Sequence, residues 1–114
     1  MKKTNTVFLF TRNGMGEGPA ELQSLLASKF LALTIESQEI PGKILFYTDG
    51  VRLACKGSTV IDLLKKLNML GSELVLCKTC LDYLHLTDTV EVGIVGGMPD
   101  IIEALNRADK VVSL

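Results

Sequence analysis

Tryptophan is absent from this 114-residue chain, aromatic residues make up only 5% of it, and none of its apolar runs is long. A surface poor in aromatic rings supplies no platform on which nucleic-acid bases could stack. A bilayer-crossing helix needs about 20 consecutive apolar residues, and Met1-Lys2-Lys3 is followed by polar Thr4-Asn5-Thr6 rather than by the apolar stretch of a leader. Cysteine occurs three times, at Cys55, Cys77 and Cys80. That odd count is too low for a disulfide-stapled secreted scaffold, so a reducing, cytoplasmic setting is expected. Neither sign of charge prevails: 12 Lys+Arg against 13 Asp+Glu leave a formal charge of -1, which draws the chain neither to nucleic acid nor to an anionic membrane.

What remains is a chain of single-domain size, expected to form one unit over residues 1–114 and to bury roughly two thirds of its unfolded surface. With 47% hydrophobic residues it has apolar surface to spare for partner subunits. Val7-Phe8-Leu9-Phe10 is a short, continuous apolar run, the pattern of a strand buried on both faces of a parallel sheet. Similar runs at 44–47, 74–76, 90–95 and 111–112 bring the expected strands to five. Helical periodicity lies between them. After Pro19, residues Leu22, Leu25, Leu26, Phe30 and Leu33 share one face. A second helix is expected from an N-cap at Ser58 to a stop at Gly71, burying Val60, Leu63, Leu64 and Leu67. A last one opens at Pro99, with Met98, Ile101, Ile102 and Leu105 on one stripe. Residues 36–42, ending in Pro41-Gly42, read as a polar connection. Alternating strands and helices predict a three-layer α/β/α sandwich around a mostly parallel sheet.

Ligands of open α/β sheets bind beyond the carboxyl ends of the strands, where loops converge and helix N-termini present free N–H groups. Topology therefore gathers there the loop Thr11 to Gly18 with Gly14 and Gly16, the turn Thr48-Asp49-Gly50, the segment Cys77-Lys78-Thr79-Cys80, and Gly96-Gly97, and the Cys77 sulfur is expected to lie uncovered at that rim. A Cys-x-x-Cys pair where a strand passes into a helix can form an activated thiolate, helped by Lys78 and Thr79 and opposed by Asp82. The same cysteines would also serve as small buried hydrophobes. Zinc would need a fuller set than Cys77, Cys80 and His85, with Cys55 on a distant loop, and no metal or other cofactor is expected. His85 reads as a surface or helix-end residue and Cys55 as structural. Gly14-Met15-Gly16-Glu17-Gly18-Pro19 matches neither standard phosphate-loop spacing, and Glu17 would repel a phosphate. It is either a glycine turn or a backbone nest for an anion.

The segments Ile44-Leu45-Phe46-Tyr47 with Gly50-Val51-Arg52-Leu53, Leu76-Cys77-Lys78-Thr79-Cys80-Leu81-Asp82-Tyr83, Val92-Gly93 and Ala108-Asp109-Lys110-Val111 resemble the DsrE-like family. The likeness is greatest to the C-terminal domain of YedF-type proteins, which are sulfurtransferase-like and linked to selenium metabolism. It spans nearly the whole chain, and Cys-x-x-Cys-Leu-Asp-Tyr is its most specific part. The resemblance implies the same α/β sandwich, a homo-oligomer, and a small sulfur-relay protein holding sulfur as a persulfide on Cys77, with Cys80 as its neighbour. Lys78 stands where YedF-like sequences usually carry Gly, and no TusA-like segment with its Cys-Pro motif precedes the domain here, so a TusA-like donor or acceptor is expected in trans. Two other functions fit the residues: a dithiol oxidoreductase using the pair as a redox couple, and a noncatalytic small-ligand or assembly module.

Overall fold

The computed structural model describes residues 1–114. Five parallel strands lie in the order β4-β3-β2-β1-β5. They are β1 (Lys2–Phe10), β2 (Glu39–Phe46), β3 (Glu73–Cys77), β4 (Ile94–Gly96) and β5 (Lys110–Ser113), alternating with α1 (Ala20–Glu36), α2 (Ile61–Leu70), α3 (Lys78–Tyr83) and α4 (Met98–Arg107). The steps β1→β2→β3→β4 all move one way across the sheet, and β4→β5 returns to the far side of β1. Right-handed crossovers then place α1, α2 and α3 on one face and α4 on the other. Side chains agree. Phe8, Ile44 and Leu74 are register partners, and Phe8 packs edge-on against Phe30 of α1 at 5.2 Å between centroids. Val75 points to the opposite face, where a Cβ built on Gly96 would touch both it and Asp100 of α4. The expected three-layer sandwich is what forms.

The core centres on β1, β2 and β3, whose Phe10, Ile44, Leu45, Phe46 and Leu76 are fully buried. Phe10 and Phe46 stack with centroids 5.7 Å apart. Helix α2 ends as its glycine signals: Gly71 adopts φ 122, and the amides of Gly71 and Ser72 bond back to Asn68 and Leu67. It begins later than expected, at Ile61. Ser58 stands just outside and accepts the Val60 amide at 3.2 Å.

Four expectations need correction. The fourth strand is confined to Ile94–Gly96, because Gly93 turns the chain at φ 90 and Val90 instead bridges Cys55 antiparallel. Pro41 and Gly42 lie inside β2. The proline is tolerated because β3 begins opposite Lys43, so on that side Pro41 has no strand partner to bond. In α1 the buried residues are Ala27 and Leu31, whereas Leu22, Leu25, Leu26 and Leu33 are exposed. The helix is apolar on two opposite sides, and the side with Ala27 and Leu31 faces the sheet. In α4 it is Ile101 and Ala104 that are buried, with Met98 and Ile102 exposed.

Candidate functional site

Cys77 ends β3, paired in register with Gly96 of β4. It occupies the expected strand end, but its residue is only 1% exposed and belongs to the hydrophobic core. The expectation of an uncovered Cys77 thiol at the sheet rim is thus overturned. The reason is geometric: Cys77 still lies within the sheet, in register with Gly96 of β4, and belongs to the hydrophobic core. Cys80, three residues on, has passed into the first turn of α3 and is half-buried.

The Cys80 sulfur accepts the backbone N–H of Thr48 at 3.0 Å. That amide comes from the turn after β2, not from the start of α3 as the helix-terminus argument anticipated. The Cys77 side chain lies beside the Cys80 thiol and disfavours its ionisation. Burial and then the Cys77 contact raise the Cys80 pKa above its ordinary thiol value, while the Thr48 amide opposes them. At neutral pH Cys80 therefore rests as a thiol. It opens on a cleft of about 350 Å³ lined by Thr48, Asp49, Thr79, Cys80, Tyr83 and Leu84, beyond the carboxyl ends of β2 and β3.

A model of the DsrE/DsrF-like family matches residues 7–114. The chain belongs to the DsrE/DsrF-like family, which is linked to sulfur relay. Among solved structures, the ychN protein from E. coli aligns over 100% of both chains at 21% identity and a TM-score of 0.68. MTH1491 from Methanobacterium thermoautotrophicum, described as a protein of unknown function, aligns over 100% of both chains at 15% identity and a TM-score of 0.72. No curated protein matches the sequence.

In this DsrE-like domain the other expected site residues fall into two groups. Asp49 and Thr79 reach the cleft, and Gly50 stands behind it. A Cβ on Gly50 would come within 2.0 Å of the Phe10 carbonyl oxygen, so only glycine lets the turn after β2 sit against the end of β1. Gly14 and Gly16 are not brought to the thiols. Gly14 donates to the Arg12 carbonyl and Met15 to that of Gln23, while the Gln23 side chain donates to the Gly16 carbonyl, so the loop is tied to α1 as a turn. Lys78 does not assist a thiolate either, because its ammonium is engaged by Asp82 at 2.7 Å. That bond, with one from Thr87, holds the Asp82 carboxyl below its usual pKa.

At the carboxyl end of β4, where the chain leaves for the face opposite to α3, Asp100 accepts the Gly97 amide at 2.9 Å and caps α4. Cys55 is buried, its thiol donating to the Val51 carbonyl, as a structural cysteine does. His85 is the left-handed residue that closes α3, at φ 58, with the amides of His85 and Leu86 bonded to Asp82 and Leu81. No group of three His, Cys, Asp or Glu side chains is placed to hold a metal ion. Thr48 belongs to the turn expected at this edge, whereas Tyr83 and Leu84 are not among the expected site residues. Only Tyr83 carries a signal in the sequence, as an aromatic residue one helical turn after Cys80, and it is 82% exposed on the rim of the cleft.

Proposed function

We propose that this protein is a sulfur carrier that receives a sulfane sulfur on Cys80, with the buried Cys77 as the supporting thiol. The observation behind it is that, of the three cysteines, only Cys80 opens to solvent, and its sulfur accepts a backbone N–H with a second thiol close by. The Cys80 thiolate attacks the outer sulfur of a donor persulfide. The donor's S–S bond breaks, the donor departs as a thiolate, and Cys80 holds the persulfide. An acceptor thiolate then attacks that outer sulfur, and Cys80 leaves as a thiolate. No net oxidation occurs. The cleft gives the added sulfur room, the Cys80 proton is lost to solvent before attack, and donor and acceptor are separate proteins, TusA-like by family resemblance. The same exchange would move selenium in place of sulfur.

The outward leucines of α1, with Ile94 and Val95 on the edge strand β4, form apolar surface suited to a second copy of the chain, so the carrier is proposed to work as a homo-oligomer. Inorganic polysulfide as donor, followed by trapping and peptide mass spectrometry, tests the assignment. The mass of one added sulfur is expected on the Cys80 peptide, present in Cys77→Ser and lost in Cys80→Ser. Sulfur found on Cys77 alone, or a Cys80→Ser protein that loads like the unmodified one, would overturn it. The nearness of the two thiols also favours a second reading, a dithiol redox couple, which a redox titration yielding no Cys77–Cys80 disulfide would remove.

A further inference from the structure

Three residues other than glycine adopt positive φ: Gln38, His85 and Thr48. Gln38 and His85 each follow the end of a helix, where a left-handed residue is the ordinary way to stop. Thr48, at φ 49, follows a strand and is β-branched, so nothing local favours its conformation. Tertiary contacts hold it there. Tyr47 donates its amide to the Phe10 carbonyl at 3.1 Å, and Gly50 donates to Tyr47 at 3.0 Å. The Thr48 hydroxyl lies within reach of the Thr11 and Tyr47 carbonyls and donates to one of them at a time. With the turn fixed on both sides, the Thr48 N–H takes no part in a sheet ladder and meets the Cys80 sulfur at 3.0 Å.

We infer that Thr48 stabilises charge on the Cys80 sulfur: its main-chain N–H holds the thiolate as it attacks and again as it leaves, and its hydroxyl, latched to the end of β1, keeps that N–H aimed. This rests on the sulfur-carrier reading, in which Cys80 is a thiolate at the start and at the end of each transfer. A preorganised donor aimed at developing charge is most effective when its direction is fixed before the reaction. A left-handed backbone held by neighbouring strands supplies that. The N–H lowers the Cys80 pKa, opposing the larger effect of burial.

The test is the pH profile of Cys80 alkylation by iodoacetamide in three variants, each also assayed for sulfur uptake from inorganic polysulfide. Thr48→Gly relieves the backbone strain and keeps an N–H but lacks the latch. Thr48→Val keeps the branched shape without the hydroxyl, and Thr48→Ser keeps the hydroxyl. Gly and Val should raise the midpoint by about one pH unit, an about tenfold loss of thiolate at neutral pH, whereas Ser should stay within about twofold of the parent. A midpoint left unmoved in either Gly or Val, even with a lowered melting temperature, overturns the assignment and makes Thr48 merely structural. If the midpoints follow the series but the parent protein takes up no sulfur, the carrier reading fails and the role of Thr48 stands. If Cys80 takes up sulfur with a midpoint indifferent to residue 48, the reverse holds.

Discussion

Alkylating the native protein should label Cys80 long before Cys77, and the interval follows from their burial. Cys77 is 1% exposed in a central strand, so reagent reaches it only when β3 opens, whereas Cys80 faces the cleft. Core strands open with free energies close to that of global unfolding. An opening free energy of even about 4 kcal/mol makes Cys77 about a thousandfold slower at equal intrinsic reactivity. Cys80 should itself react more slowly at neutral pH than an unstructured thiol, its rate climbing about tenfold per pH unit to a midpoint above the ordinary thiol range. Pulsed iodoacetamide labelling with peptide mass spectrometry reads both rates, and urea should abolish the difference. Stability carries the matching sign. The folded state binds the Cys80 proton more tightly than the unfolded chain does. Its contribution is therefore complete below the unfolded thiol pKa and fades as pH rises through the higher folded value. Equal native labelling of the two cysteines, or a Cys80 midpoint below that of a free thiol, would refute both the burial argument and the site built on it.

Gly50→Ala should lower stability by about 2–3 kcal/mol, seen as a drop in melting temperature of about 10–20 °C, because the new Cβ meets the Phe10 carbonyl oxygen at 2.0 Å and the turn must move. The same shift should loosen the Thr48 contact and raise the alkylation midpoint of Cys80, while an unchanged melting temperature would show that the turn yields freely. Replacing Leu25 and Leu33 by Glu should leave the fold of the monomer intact, since both side chains point outward, but should reduce the proposed homo-oligomer to monomers in analytical ultracentrifugation. A homo-oligomer that survives both charges does not use this face of α1.

Some features of the molecule were open to reading along the chain because they depend on neighbours a few residues apart. Apolar runs such as Val7 to Phe10, the glycine stop at Gly71 and the proline start of α4 are local signals, and they specified the parallel α/β sandwich and the placement of Cys77 at the end of a strand. Others needed distant parts of the chain brought together. Whether Cys77 or Cys80 meets solvent depends on how β4, α3 and the turn after β2 close around the end of β3. Which amide meets the sulfur depends on β2 lying beside β3, 32 residues apart in sequence at Thr48 and Cys80. The two apolar sides of α1 look alike in a periodic pattern, and it is the side with Ala27 and Leu31 that the sheet covers. Periodicity records which residues share a face. Burial is fixed by the other layer, and the local sequence holds no record of it.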